Sequence, residues 1–198
     1  SDIHSETASR IFDTDIHSVS KDMRRKAKEV NFGLIYGMES FGLSKSLNIP
    51  KKEATELIDS YFNQFPKIKG YLESIVKDAE GSTFTQTLYG RKRFIRELAS
   101  TNFQLKAMGK RIAMNAPIQG TASDIMKISM IKLEDKIKKL NSTSILLQIH
   151  DEIIIQTPKE IASKTAKLVQ KEMENATTLD VPLFVDVKQN KNLANFNN

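Results

Sequence analysis

Arg24-Arg25-Lys26-Ala27-Lys28-Glu29-Val30-Asn31-Phe32-Gly33-Leu34-Ile35-Tyr36-Gly37 decides the reading of this chain. Arg24, Lys28, Phe32 and Tyr36 recur every fourth residue. In an α-helix each i→i+4 step drifts only about 40° past a full turn and climbs about 6 Å, so the four side chains share one slowly winding stripe. The stripe begins with two cations and ends with two aromatic rings. Such an order suits a ligand with phosphates at one end and a base at the other. Basic residues at helical spacing ordinarily make a solvated face, and spaced aromatics ordinarily belong to a core. Here Phe32 and Tyr36 continue the polar stripe, while Met23, Ala27, Val30 and Leu34 fall largely elsewhere. That arrangement weighs against the ordinary reading.

Outward from this helix, Ser20 is placed to cap its start and Gly37 to stop its end. Residues 2–12 read as a short helix with Ile3, Ala8, Ile11 and Phe12 as apolar contacts, followed by a turn over 13–20. Asp15-Ile16-His17-Ser18 echoes Asp2-Ile3-His4-Ser5, an echo too short for a repeat. A helix is expected over 41–47. Pro50 starts another, with Ala54, Leu57, Ile58, Tyr61, Phe62 and Phe65 on one face. Pro66 ends it, and a further helix runs to about Glu80.

Thr83 to Arg93 reads as a hairpin turning at Tyr89-Gly90. Helix returns from Asn102 to Asn115, and Pro117 should interrupt it. A long helix follows from about Thr121 to Lys139, with Met126, Met130, Leu133, Ile137 and Leu140 in a row. The strongest strand signal is Ser144 to Gln156. Two apolar runs, Ile145-Leu146-Leu147 and Ile153-Ile154-Ile155, flank His150-Asp151-Glu152 there. Pro158 should open a last helix to about Thr177, and Leu183 to Val187 a last strand. Helices dominate, and the strands come as hairpins rather than in βαβ alternation. The class is α+β, a largely helical part followed by a mixed part with a small antiparallel sheet.

With 198 residues and 39% hydrophobic content the chain can build one domain or two small lobes around packed cores. Thirty Lys and Arg against 24 Asp and Glu give a net charge of +6, which favours polyanionic partners such as nucleic acid. The absence of cysteine excludes a disulfide scaffold and thiolate metal sites. No apolar run approaches a membrane span, and no signal peptide is visible. A cytoplasmic protein is the expectation, with organellar origin left open. The chain opens at Ser1 without an initiator Met, as if processed or cut from something longer.

The His150-Asp151-Glu152 turn lacks the glycine that tight hairpins favour. Carboxylates held on a β-turn suit a hard divalent cation bound through oxygen, although an ordinary polar turn reads the same way. Taken together, a cationic–aromatic helix fits a nucleoside triphosphate and a carboxylate hairpin fits Mg²⁺. Phosphoryl transfer needs both, to align the reacting groups and to neutralise charge on non-bridging oxygens.

The pattern Arg-x₃-Lys-x₃-Phe-x₃-Tyr-Gly at 24–37 resembles the fingers-helix motif of family A DNA polymerases, the bacterial DNA polymerase I type. Gln148-Ile149-His150-Asp151-Glu152 resembles that family's palm hairpin. Tyr89-Gly-Arg-Lys-Arg93, Asn115-Ala-Pro-Ile-Gln-Gly-Thr-Ala-Ser-Asp124 and Asp2-Ile3-His4 resemble further blocks in the right order, so the likeness covers nearly the whole chain. It implies a lead from palm to fingers over 1–20, fingers over 21–100, and the C-terminal part of the palm over 101–198.

The resemblance further implies that His4, Arg24 and Lys28 contact the triphosphate of a deoxynucleoside triphosphate and that Phe32 packs on its sugar. Tyr36 would lie beside the templating base. Arg111, Asn115 and Gln119 would reach the minor groove or backbone of primer–template DNA, where the acceptor pattern is nearly degenerate. His150 would lie near the primer terminus. Asp151 would be the metal ligand and Glu152 a secondary carboxylate, both counted with Lys28 as catalytic.

A two-Mg²⁺ site also needs an aspartate from an Asp-Tyr-Ser-type motif upstream of Asp2-Ile3-His4, and nothing in the first dozen residues matches it. The expectation is therefore a fragment, inactive alone, lacking that aspartate and the thumb, with an opened palm sheet prone to self-association. Lys110 and Arg96 stand where the family commonly has an acidic residue and a proline. The segment from Val185 to Leu193 lacks the glycines and tryptophan often seen after the last strand. Two alternatives come from other classes. One is a nucleic-acid-binding module without chemistry, and the other a nucleotide-binding regulatory domain, which leaves the Asn115–Gln119 block without a purpose.

Overall fold

The computed structural model describes residues 2–192, which divide into two compact units between Gln119 and Gly120. The fold is α+β, with two small antiparallel sheets of two strands each among the described residues.

In the first unit, helix α1 (Ile3–Ile11) starts where the Asp2 side chain accepts the Ser5 N–H. Ala8 and Ile11 enter the core, whereas Ile3, expected as an apolar contact, is exposed. A 3₁₀ turn (Ile16–Ser18) is capped in the same way by Asp15, so the short sequence echo is one capping chemistry used twice. Helix α2 (Lys21–Ile35) carries the opening stripe. Ser20 Oγ accepts the Met23 N–H at 3.1 Å and closes its first turn.

The far end of α2 is a Schellman stop. Gly37 N–H donates to Leu34 O at 3.0 Å and Met38 N–H to Gly33 O at 2.7 Å, with Gly37 at φ +68°. Ala27, Val30 and Leu34 are buried, while Phe32 and Tyr36 are 47% and 44% exposed. The stripe therefore faces away from the core, as its spacing predicts.

Helices α3 (Ser40–Leu47), α4 (Lys51–Gln64) and α5 (Pro66–Ser82) follow. Leu43 and Leu47 from α3 join Ala54, Leu57 and Tyr61 from α4 against α1 and α2 in one core. Lys26 Nζ to Glu53 Oε1 at 2.9 Å and Ser46 Oγ to Glu29 Oε2 at 2.7 Å tie α2 to its neighbours. The hairpin of β1 (Phe84–Gln86) and β2 (Lys92–Phe94) turns at Gly90, which takes φ +78°. Behind it, Val76, Ala79, Ile95, Leu98 and Ala113 form a second core.

Helix α6 (Phe103–Ile137) runs without interruption through Pro117, where the sequence suggests a break. A proline removes one i→i−4 bond and presses on the carbonyl four residues back, at about 3 kcal/mol. Buried residues on either side, Ala113 and Ala116 before it and Leu133 and Ile137 after it, offset that cost. The boundary between the units falls within this helix. Lys110, the residue out of pattern, pairs with Glu80 of α5 at 3.2 Å.

In the second unit, β3 (Ser144–Ile149) pairs antiparallel with β4 (Glu152–Gln156). Ile145, Ile153 and Ile155 pack on a core of Leu133, Ile137 and Val169. After a 3₁₀ turn (Lys159–Ile161), α7 spans Ala162–Glu174 and stops before the expected Thr177. Its terminal carbonyls are held from α6, with Lys132 Nζ donating to Asn175 O at 3.2 Å and Ala176 O at 3.0 Å.

The strand expected over Leu183 to Val187 is not formed. Side chains of α7 occupy its backbone groups instead: Gln170 Nε2 donates to Val185 O at 3.0 Å, and Val185 N–H to Glu174 Oε1 at 3.1 Å. With those groups taken, Val185 has none left for a ladder. The Leu193 end of the last expected stretch lies outside the described residues.

Candidate functional site

In the first unit α1 and α2 together present a basic, aromatic face. Lys28 Nζ stands 6.0 Å from the Phe32 ring centroid, and the His4 ring lies 5.5 Å from the same ring, tilted by 52°. Lys28 makes no ion pair among the described residues, whereas Arg25 pairs with Asp22 and Lys26 with Glu53. The structure thus groups His4, Lys28 and Phe32, three residues the sequence marks for a nucleotide, around one exposed ring.

Arg24 sits at the start of the stripe in a different state. Its Nε donates to Asp2 Oδ2 at 2.7 Å and its Nη2 to Asp2 Oδ1 at 3.1 Å, a bidentate pair. The Arg24 hydrogen bond first, and the Ser5 hydroxyl second, hold the Asp2 carboxyl far below the ordinary carboxylate range. The same bond raises Arg24. Asp2 therefore caps α1 and neutralises the first cation of the stripe, Arg24, at once. The sequence shows Asp2 as a helix start, but its second task joins residues 22 positions apart and leaves no local signal.

A pH dependence follows. A carboxyl whose folded pKa is depressed stabilises fully above its unfolded value, here an ordinary 3.8, and loses that contribution as pH falls through the folded value. The melting temperature of the native chain should exceed that of Asp2→Asn by a constant margin from about pH 5 to 8. The margin should shrink below about pH 4. A margin independent of pH in thermal melts would show that the pair contributes nothing through its charge.

Asn31 joins this face, and the sequence carries no signal for it. Its Nδ2 lies 3.2 Å from His4 Nδ1 and donates to Thr7 Oγ1 at 3.0 Å. Nothing in the periodicity marks it. Only the meeting of α1 and α2 reveals its partners.

At the other end of the stripe, α2 meets α6. Tyr36 Oη accepts a hydrogen bond from Gln119 Nε2 at 2.7 Å. A Cβ built on Gly37 would lie 2.9 Å from Arg111 Cγ and 3.1 Å from Arg111 Cα, so glycine is what lets the helices touch. Arg111, Asn115 and Gln119 repeat at four-residue spacing along α6, and Asn115 Nδ2 is buried without a hydrogen-bond partner. Tyr36, Arg111 and Gln119 are thereby one cluster.

The remaining predicted residues lie in the second unit. His150 and Asp151 form the two-residue turn between the paired Ile149 and Glu152, so Glu152 belongs to β4 rather than to the turn. His150 takes φ +53°, the position where a type II′ hairpin normally has glycine. Gln148 Nε2 donates to His150 O at 2.6 Å and braces this backbone. Asp151 and Glu152 are both exposed. Among the described residues no group of three or more His, Asp or Glu side chains is placed to hold a metal. Two adjacent carboxylates offer hard oxygen ligands, but they do not make a metal site by themselves.

The comparisons with known proteins agree on one family. Residues 1–195 match DNA polymerase family A. The chain is 48% identical to DNA polymerase I of Caldicellulosiruptor bescii over 192 residues, 96% of this chain and 23% of that protein. It is 46% identical to DNA polymerase I of Bacillus subtilis over 186 residues, 93% of this chain and 21% of that protein. It thus spans less than a quarter of the length of these relatives. Among solved structures it resembles the POL domain of Pol1 from M. smegmatis in complex with DNA primer-template and dNTP. There the TM-score is 0.87 and the identity 40%, over 92% of this chain and 32% of that one. A match over almost the whole chain, joined to this identity, shows that the chain belongs to DNA polymerase family A.

Proposed function

We propose that this chain supplies the fingers and the later part of the palm of a DNA-directed DNA polymerase, which joins deoxynucleotides to a primer 3′-hydroxyl on a template. The observation that carries the reading is the exposed Phe32 ring flanked by His4 and by a Lys28 ammonium without an ion pair among the described residues. A cation left unpaired beside an open aromatic face suits a phosphorylated ligand, and relatives that bear the same family name are polymerases. In this reading 1–20 lead into the fingers, 21–100 are fingers and 101–198 are palm.

His4, Arg24 and Lys28 contact the triphosphate, and Phe32 packs on the sugar. Tyr36 lies at the templating base. Arg111, Asn115, Gln119 and His150 touch primer–template. Asp151 contributes a ligand to Mg²⁺, with Glu152 beside it. Among the described residues no third side chain joins these two carboxylates in a metal-binding group.

Lys28→Ala in the complete polymerase tests the nucleotide face. Losing one charge-assisted hydrogen bond costs about 1.5–3 kcal/mol, or roughly 10- to 100-fold in KM for the deoxynucleotide. Steady-state kinetics with varied nucleotide and saturating primer–template reads this out. An unchanged KM would refute the assignment.

A second reading, binding without chemistry, is favoured for the isolated chain because no third metal-binding side chain joins Asp151 and Glu152 among the described residues. Primer extension with Mg²⁺ and deoxynucleotides separates the two, because robust synthesis by these 198 residues alone would exclude it. The proposal also includes self-association of the chain through its two-stranded β3–β4 sheet, where Leu146, Leu147 and Ile149 are exposed. Sedimentation at rising concentration checks this, and a constant monomer mass would end it. No helix among the described residues is long and apolar enough to cross a membrane.

A further inference from the structure

The hydrogen bonds around Asn31 favour one tautomer of His4. Thr7 Oγ1 donates its only proton to Ile3 O at 2.8 Å, inside α1. Towards Asn31 that oxygen can therefore only accept, which fits Asn31 Nδ2 at 3.0 Å better than the Asn31 Oδ1 contact at 3.3 Å. The amide nitrogen thus faces α1. Its second proton points at His4 Nδ1, 3.2 Å away. An N–H donor needs a lone pair opposite it, so Nδ1 is the bare nitrogen and the ring proton sits on Nε2. The ring is further held by its contact with Phe32.

We infer that Asn31 is a positioning residue, which fixes His4 as an Nε2–H donor towards the anionic part of the nucleotide. The inference rests on the reading of this face as the nucleotide site. Asn31 does not touch the ligand in this scheme. It acts through the imidazole, as partners of functional histidines commonly do when they set ring orientation and proton position. Without it the ring can rotate or present a lone pair to phosphate oxygens, which have no proton to give. The three relevant side chains come from two helices, so the α1–α2 packing itself carries the information.

The test has a spectroscopic arm and a kinetic arm. Long-range ¹H–¹⁵N correlation on the 198-residue chain resolves its three histidines, and His4→Ala assigns the signal of interest. The native chain at mildly alkaline pH should show His4 protonated at Nε2. Asn31→Asp replaces the donor by an acceptor and should move that proton to Nδ1. Finding Nδ1–H in the native chain, or no change in Asn31→Asp, overturns the inference.

In the complete polymerase, Asn31→Ala should raise the KM for deoxynucleotide about fivefold, the worth of one neutral hydrogen bond, with little change in kcat. Asn31→Asp should raise it further. Both effects should vanish when His4 is already alanine, because a residue acting through His4 has nothing left to position. If they persist in that background, the positioning role falls while the nucleotide site stands. If His4→Ala alone leaves KM unchanged, the site reading falls and the inference with it. Melting curves of Asn31→Ala within a few degrees of native exclude simple unfolding as the cause.

Discussion

Asp151→Ala in the complete polymerase is expected to lower primer extension about a thousandfold or more, equivalent to roughly 4 kcal/mol of transition-state stabilisation. The same change should leave the melting temperature almost untouched. Asp151 is exposed at the tip of a two-residue turn, and the hairpin is anchored through Ile145, Ile153 and Ile155, none of which it meets in the core. A residue that contributes nothing to packing but removes synthesis when truncated can only be serving chemistry or binding. Glu152→Ala should cost much less, since Glu152 is the first paired residue of β4 and the secondary carboxylate in the proposal. Synthesis that survives Asp151→Ala would remove the catalytic assignment.

Gly37→Val should destabilise the first unit by about 4 kcal/mol, near 15 °C in its thermal midpoint. Two costs add at this position. A β-branched residue at φ +68° is strained, and its Cβ would press on Arg111 Cα at 3.1 Å, backbone that cannot swing aside. Gly90 separates these costs, because it has φ +78° but no heavy atom within 4 Å of where a Cβ would stand. Gly90→Ala should therefore lose only the conformational part, about 1 kcal/mol. Equal losses at the two glycines would mean that the contact between α2 and α6 carries no energy.

The helical half of the fold is legible in the sequence because its signals are local. Ser20 before α2, Gly37 after it, and the Ala54–Leu57–Tyr61 face of α4 all follow from spacing within a few turns. The β3–β4 hairpin is legible from its two apolar runs, Ile145-Leu146-Leu147 and Ile153-Ile154-Ile155. What escapes depends on partners far along the chain. Asp2 with Arg24, Gln119 with Tyr36 and Asn31 with His4 are each separated by more than 20 residues, and no local window of sequence contains both members. Pro117 misleads for a related reason, since its local cost is real and only burial on either side offsets it. The strand over 183–187 fails because Gln170 and Glu174, polar residues on α7, take its backbone groups.

His150 sits at φ +53°, where asparagine or glycine would rest at ease and an ordinary side chain costs about 1–2 kcal/mol. A designer improving this chain for heat resistance would reach for that position early, and the melting curve would reward the change. The gain would be misleading. On the proposed reading, in which His150 meets primer–template, thermal selection alone would trade a binding side chain for a more relaxed turn.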